Sequence, residues 1–300
     1  MKSPLCIGAV HWDIIGTAFA TLAIGNDVPG IVRRAPGGVA FNIAAALARA
    51  MPGAAPILRA AVGDDADGAA LIAACAAVGI ETGHILWLAD TATDAYLAIE
   101  GPGGLIAAIC DARALARAEG ELPAPLEDGR IAGPGAPFEG IIVADGNLAP
   151  ETLARIAGNP ALAEADLRLA SAAPAKAAHL RAALTHPRAT IYLNLAEARV
   201  LLASDVSDTR AAASALLDLG AARALVTDGE RPIALACRLG PHHVAHPARV
   251  VPQGVTGAGD ALMAAHIAAE AAGLPPDAAL AAALCAAARH IAPDRKEPAT

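Results

Sequence analysis

Short hydrophobic runs alternate along the chain with alanine-rich stretches that carry scattered polar residues. The hydrophobic runs predict strands over 5–10, 57–62, 140–144, 166–170, 190–193 and 224–227. The alanine-rich stretches predict helices over 39–50, 67–78, 150–156, 175–184, 209–219, 259–272 and 277–291. Strands that alternate with helices are typical of a doubly wound, mostly parallel sheet with helices on both faces. We therefore predict an α/β fold.

Two segments interrupt this alternation. Residues 14–34 lack helical periodicity, and residues 96–111 have the pattern of a hairpin that turns at Gly101-Pro102-Gly103-Gly104. No linker separates these segments from the rest, so we predict one domain over 1–292. The charged, proline-flanked residues 293–300 are predicted to be a loose tail.

Composition narrows the classes of partner. The chain has 300 residues, of which 55% are hydrophobic, and this is ample for a large buried core. Its net charge is −8 and it has no block of lysine or arginine, which argues against binding to nucleic acid. Small anionic nucleotides remain compatible, because they bind through local glycine loops.

Cysteine spacing and targeting signals give little further information about the function of the protein. The five cysteines are scattered and include no Cys-x-x-Cys pair, so the sequence indicates neither a zinc site nor a disulfide scaffold. The first residues do not form a signal-peptide pattern, and the apolar stretches are too short to span a membrane. We expect a soluble, cytoplasmic protein without membrane partners.

The most informative motif is Gly257-Ala258-Gly259-Asp260, which precedes a long helix-forming segment. Glycines at a helix N-terminus leave backbone N–H groups uncovered, and these can surround a phosphate. A carboxylate at this place would repel the phosphate unless it had another task, such as accepting a proton from an attacking hydroxyl. The alternative is that Asp260 only caps the helix.

A second glycine pair, Gly37-Gly38, begins another predicted helix, which carries Asn42. The two segments together resemble the two signatures of the ribokinase-like (PfkB) carbohydrate kinase family. The resemblance implies a ribokinase-like fold with a small β-lid from about 14–34 and 93–111. It also implies ATP and Mg²⁺ as cofactors, Asp260 as general base, and a cradle for the transferring phosphoryl group from Gly257, Ala258 and Gly259.

The resemblance extends over nearly the whole chain and carries further roles. Implied sugar contacts are Asp13 at the end of the first strand, Gly37, Gly38 and Asn42. Implied nucleotide contacts are Asn194, Thr227, Gly229 and Thr256, and Asn194 with Glu197 would organise magnesium through water. Asp13, Asn194 and Thr227 each follow a strand-like run, so we expect them to converge at the carboxyl edge of the sheet. Taken alone, Glu197 could also be a solvated acid in the first turn of a helix.

A closer resemblance to one branch of this family indicates which molecule accepts the phosphoryl group. Residues 93–99, 107–111 and 37–49 resemble the pseudouridine kinase branch of the family. This implies pseudouridine as substrate, with Tyr96 and Asp111 beside the base, and a homodimer formed through the lid. In the alternative reading, Tyr96 packs within the lid and Asp111 ends a strand.

Departures from the family pattern leave other functions open. Gly254 lacks the side chain that often helps to hold a monovalent cation, so potassium is left open as a further cofactor, and Pro232 replaces a glycine after the Thr227 turn. Another kinase of this fold could act on ribose, fructose, a ketodeoxy acid or adenosine. A non-catalytic sensor of sugars or nucleosides is the alternative from another class, although it would not need Asp260.

Overall fold

A computed structural model describes residues 2–250 and 257–292 of the chain. The strands are β1 (Leu5–Ile7), β2 (His11–Ala18), β3 (Gly30–Gly37), β4 (Ile57–Arg59), β5 (Ala61–Gly63), β6 (Leu86–Leu88), β7 (Ala95–Gly101), β8 (Gly104–Asp111), β9 (Ile141–Asp145), β10 (Asp166–Ala170), β11 (Thr190–Asn194), β12 (Arg223–Asp228), β13 (Arg231–Cys237) and β14 (His243–Ala245). The helices are α1 (Val39–Ala50), α2 (Ala66–Ala77), α3 (Arg113–Ala118), α4 (Pro150–Ala157), α5 (Leu195–Leu202), α6 (Thr209–Asp218), α7 (Ala258–Ala271) and α8 (Pro276–Ile291).

An eight-stranded sheet in the order β14-β13-β12-β11-β10-β9-β1-β4 forms the centre of the protein. From β12 to β4 all neighbouring strands are parallel, whereas β13 and β14 are antiparallel at one edge. One hydrophobic core lies on each face of this sheet. The predicted α/β fold is therefore confirmed. No helix in the described ranges is long and apolar enough to cross a membrane.

The strand predictions are correct at the centre of the sheet and wrong in two places. The predicted strand 5–10 ends at Ile7, and the next residue, Gly8, has a φ of 149° and lies against the buried side chain of Asp145. The predicted strand 57–62 divides into β4, which pairs with β1, and β5, which pairs with β6 in a separate sheet. Hydrophobic pattern does not reveal this change of sheet, since both short strands are apolar.

The helix predictions differ from the structure in three places, one of which is the short helix α3, which the sequence pattern did not predict. Residues Pro174–Ala183 form a 3-10 segment and not an α-helix, with i to i+3 bonds such as Lys176 N–H to the Ala173 carbonyl. An alanine-rich pattern does not distinguish 3.0 from 3.6 residues per turn. Helix α5 was not predicted, although the spacing of Asn194 and Glu197 is that of a capping box, which marks a helix start.

A separate four-stranded sheet in the order β3-β2-β7-β8 forms the predicted lid. It is tied to α2 by three side chains. The indole N–H of Trp12 donates to the Asp67 carbonyl at 3.0 Å, and the Arg34 guanidinium stacks 4.0 Å from the Trp12 ring. Arg34 also pairs with the Asp67 carboxylate at 2.5 Å. The lid is thereby held beside the carboxyl edge of the central sheet.

A buried network of charged and polar groups connects α7 to the central strands. Arg168 on β10 donates to the Tyr192 hydroxyl at 2.7 Å and pairs with Glu270 on α7, also at 2.7 Å. Glu270 also accepts from Arg223 on β12, and the Tyr192 hydroxyl lies 2.8 Å from Nδ1 of the fully buried His266. The network fixes α7, whose N-terminus carries Asp260, against three strands of the sheet.

Candidate active site

The site is centred on Asp260 in the first turn of α7. Its carboxylate accepts a hydrogen bond of 2.9 Å from the side-chain amide of Asn42 on α1. The two residues are 218 positions apart in the chain, so the packing of α1 against α7 alone brings them together. The sequence-predicted base and the sequence-predicted sugar ligand are thus direct neighbours.

Burial gives Asp260 the properties of a base that works near neutral pH. Desolvation raises the pKa of its carboxyl to about 7, and the nearby charges of Asp145 and Glu197 act in the same direction. The hydrogen bond from Asn42 opposes this rise, because it stabilises the charged form. A carboxylate with a pKa close to the working pH is well suited to accept a proton from an alcohol.

The start of α7 provides uncovered N–H groups beside this carboxylate. Its N-cap is Gly257, with a left-handed φ of 79°, and no side chain caps the helix. No hydrogen bond within the described ranges engages the N–H groups of Gly257, Ala258 or Gly259, and a Cβ added at Gly259 would meet only open space. These residues fit the phosphate group that the sequence predicts. Thr256 and Gly254 lie outside the described residues.

The start of α1 requires glycine for a steric reason. Gly38 is the N-cap with a φ of 103°, and a Cβ there would lie 2.4 Å from the carbonyl oxygen of Ala9. Gly37 meets the side chain of Asp13, which would be 2.3 Å from a Cβ at that position. Gly38 therefore allows the start of α1 to approach the segment between β1 and β2, and Gly37 allows the end of β3 to lie against the Asp13 side chain.

Asp13 lies in the lid and not at the end of the first central strand, as the sequence had suggested. It belongs to β2, because the chain leaves the central sheet after Ile7. The pairing register places Asp13 beside Tyr96, and the face that they share meets the start of α1. Asp13 still reaches the predicted site, but through the lid.

Asp111 does not lie on the lid face that carries Asp13 and Tyr96. It pairs with Ala95, one position away from Tyr96, so strand alternation places it on the opposite face of the lid. Its carboxylate is bound by the guanidinium of Arg113 at 2.8 and 2.6 Å. The structure does not bring Asp111 and Tyr96 together, as the predicted base contact required.

Asn194 and Glu197 form a reciprocal cap at the start of α5. The Asn194 side chain accepts from the Glu197 N–H at 2.9 Å, and the Glu197 carboxylate accepts from the Asn194 N–H at 2.8 Å. Glu197 is buried, and desolvation raises the pKa of its carboxyl. It is therefore not the solvated acid of the alternative reading.

Thr227 and Gly229 lie at the same edge of the sheet. Thr227 pairs in register with Asn194 near the carboxyl ends of β12 and β11. Gly229 follows in the turn to β13, with a φ of 57° and open space around its α-carbon. The predicted convergence of Asn194 and Thr227 is thus observed.

Sequence reasoning missed the importance of Asp145. This fully buried residue ends β9 and accepts from the N–H groups of Ala9, Ala40 and Asn147 at 2.9, 3.0 and 2.8 Å. It joins the end of β1, the start of α1 and the turn after β9, and its charge acts on Asp260. The available signal was its position directly after an apolar strand.

Comparison with known proteins agrees with this geometry. A family model described as pfkB family carbohydrate kinase matches residues 1–292. A carbohydrate kinase from Agrobacterium tumefaciens is 28% identical, with a TM-score of 0.76, over 96% of this chain and 90% of that one. The comparison with curated proteins found no match.

Two ribokinases show the same fold at lower identity. The enzyme from Thermotoga maritima is 19% identical, with a TM-score of 0.79, over 98% of this chain and 94% of its own. Arabidopsis thaliana ribokinase complexed with ribose and ATP is 17% identical, with a TM-score of 0.76, over 97% of this chain and 93% of its own. The match over residues 1–292, together with the buried Asp260 beside an uncapped glycine turn, shows that the chain is a phosphotransferase of the pfkB carbohydrate kinase family.

Proposed function

We propose that this protein transfers the γ-phosphoryl group of ATP to the 5′-hydroxyl of a ribosyl acceptor, with pseudouridine converted to pseudouridine 5′-phosphate. The observation that carries the proposal is the Asp260–Asn42 contact of 2.9 Å at the uncapped start of α7. It puts a base with a pKa of about 7 beside N–H groups that suit a phosphate.

The chain's own residues have separate tasks in this reaction. Asp13, Gly37, Gly38 and Asn42 hold the sugar so that its primary hydroxyl faces Asp260. The Asp260 carboxylate takes the hydroxyl proton while the hydroxyl oxygen attacks the γ-phosphorus of ATP, and the bond from that phosphorus to the β,γ-bridging oxygen breaks, so that ADP leaves. The N–H groups of Gly257, Ala258 and Gly259 stabilise the charge that develops on the phosphoryl oxygens. Positioning and electrostatic stabilisation supply most of the catalysis in such transfers.

The nucleotide contacts are assigned to Asn194, Thr227 and Gly229, and the fourth predicted contact, Thr256, lies outside the described residues. Among the described residues, no group of three or more His, Cys, Asp or Glu side chains is arranged to hold a metal directly. Asn194 and Glu197 each use a side-chain oxygen in their reciprocal cap, so they would organise the ion through water, in keeping with an ion that is held mainly by phosphates. Magnesium, when bound, neutralises phosphate charge. ATP as donor is supported by the ribokinase neighbour that was solved with ribose and ATP.

The acceptor is proposed from the lid. Its segments 93–99 and 107–111 resemble those of pseudouridine kinases, and Tyr96 lies on the face that meets α1. Asp111 is not included in the base site, because it lies on the other face and is paired with Arg113. Tyr96 can provide a flat surface for a nucleobase.

The direct test is ADP formation from Mg-ATP with pseudouridine, uridine, cytidine, adenosine, ribose, fructose or no acceptor, followed by NMR of the product. We expect turnover with pseudouridine and phosphate on its 5′-oxygen. Turnover with another acceptor only would overturn the pseudouridine assignment and leave the kinase assignment intact. Binding of an acceptor without any turnover would contradict phosphoryl transfer and favour a sensor.

We also propose a homodimer formed through the lid. On the lid face away from α1, apolar side chains are exposed: Val32, Leu97, Ile99 and Ile109 are 75%, 41%, 40% and 67% accessible. Exposed apolar surface of this kind marks association sites. Light scattering on purified protein should give twice the mass of one chain, and Ile109→Lys should give the mass of one. A monomeric wild-type protein, or a dimeric lysine variant, would contradict this interface.

A further inference from the structure

His11 is a polar lid residue to which no role has yet been given. It lies on β2 two positions before Asp13, and strand alternation places both side chains on the face that meets α1. Its Nδ1 atom is 3.0 Å from Oδ1 of Asp13. Both atoms are shielded from solvent, and within the described ranges neither forms a hydrogen bond of regular geometry, so this close approach is the polar contact that each of them makes. The two side chains therefore depend on each other.

This contact determines what His11 presents on its other side. A carboxylate oxygen 3.0 Å from Nδ1 favours the tautomer with the proton on that nitrogen, and in this neutral imidazole Nε2 is a hydrogen-bond acceptor. No donor in the described part of the chain engages Nε2. The Tyr96 ring is the aromatic neighbour, at 6.3 Å between ring centroids and with an angle of 39° between the planes. Asp13, His11 and Tyr96 thus form one continuous surface of the lid.

We propose that His11 is a specificity-determining residue whose Nε2 atom accepts a hydrogen bond from an N–H or O–H group of the acceptor. The proposal rests on the proposed function and deepens it, because it names a chemical requirement on the acceptor. Asp13 accepts hydrogen bonds from sugar hydroxyls, and His11 accepts a hydrogen bond from a further donor group next to them. In a nucleoside, that donor is a ring N–H of the base.

Pseudouridine and uridine form a matched pair for this requirement. They have the same sugar and the same ring atoms, but pseudouridine carries an N–H where uridine carries a C–H. A site that offers an unpaired acceptor favours the ligand with the donor, because the other ligand leaves a buried acceptor without a partner. The geometry therefore predicts a preference for pseudouridine that is lost when Nε2 is lost.

The test compares His11→Asn, whose amide replaces Nδ1 beside Asp13, with His11→Gln, whose amide lies near the former Nε2. His84→Asn is the matched control, since His84 precedes β6 and accepts the hydrogen bond from Arg59 through its backbone carbonyl and not through its imidazole. Calorimetric affinity and kcat/KM are measured for both nucleosides and ribose at one pH that is the same for all variants. The KM for ATP is measured in the same variants.

We expect the wild-type protein and His84→Asn to prefer pseudouridine over uridine by about tenfold or more. His11→Asn should remove this preference without changing the KM for ATP, and His11→Gln should retain part of it. An unchanged preference in His11→Asn would overturn the proposal.

Failure of the proposed function has a different signature. If the wild-type protein binds and phosphorylates ribose but neither nucleoside, the nucleoside assignment fails. His11 is then tested on ribose itself, for which His11→Asn should bind about tenfold more weakly, and equal affinity would reject the contact. If no acceptor binds to the wild-type protein, both proposals fall.

Discussion

Asp260→Asn is expected to lower kcat by about 10³-fold or more while the protein still binds ATP. The amide cannot accept the proton of the acceptor hydroxyl, whereas the N–H groups at the start of α7 are unchanged. The variant should also fold normally. Its amide oxygen can accept the bond that Asn42 now donates to the carboxylate, and it replaces a carboxyl whose ionisation is disfavoured by burial.

The measurement is steady-state ADP formation together with calorimetric binding of a non-hydrolysable ATP analogue. Asp218→Asn on the exposed end of α6 is the matched control, and it should keep wild-type turnover. An Asp260→Asn variant with turnover within about tenfold of wild type would contradict the general-base assignment. Loss of analogue binding would indicate that the variant damages the nucleotide site instead.

Glu270→Gln is expected to lower the free energy of unfolding by about 3 kcal/mol. Glu270 is shared by Arg168 and Arg223, so removing its charge leaves two largely buried guanidinium groups undercompensated. Urea unfolding at neutral pH measures the effect. Glu164→Gln is the matched control: Glu164 pairs with Arg188 at the surface, at 3.3 Å, and its loss should change stability by less than about 1 kcal/mol. Equal effects of the two substitutions would show that the network does not stabilise the fold.

The same network predicts that stability falls in acid. Burial alone would raise the pKa of Glu270, but the Arg223 hydrogen bond and the Arg168 charge outweigh it and lower the pKa to about 2. Burial disfavours the charged imidazolium of His266 and lowers the pKa of this residue to about 4. Both pKa values lie below those of the unfolded chain, so the stability that these groups contribute at neutral pH is lost as the pH falls. Stability that did not decrease between about pH 6.5 and pH 4 would contradict this account.

The centre of the fold could be predicted from sequence because parallel strands that are covered on both faces are mostly hydrophobic. Strands β9 to β12 match the predicted runs within one residue at each end. The edge strands β13 and β14 escaped prediction because an antiparallel edge has no such simple pattern. The lid was predicted from its irregular pattern and from family resemblance, but its pairing register was not.

The site was predicted in its residue types and only partly in its geometry. Two glycine motifs indicated Asp260 and Asn42, and the structure joins these side chains directly. The pairing register of the lid strands determines where the lid residues of the site lie. It brings Tyr96 beside Asp13, sends Asp111 to the other face and places His11 against Asp13. Such placements depend on which strands pair, and a sequence pattern of period two does not specify a partner.

The central claim is that Asp260 is a buried base whose proton affinity is set by burial and by Asn42. The most direct measurement is the pH dependence of kcat/KM for the acceptor in the wild-type protein and in Asn42→Ala. In the wild-type protein, kcat/KM should rise with pH through an apparent pKa near 7, because only the ionised carboxylate accepts the proton. In Asn42→Ala the apparent pKa should move higher, since the bond that stabilises the charged form is gone. Titration of ATP itself is common to both proteins and cannot cause the shift. A flat profile, or the same apparent pKa in both proteins, would contradict the account.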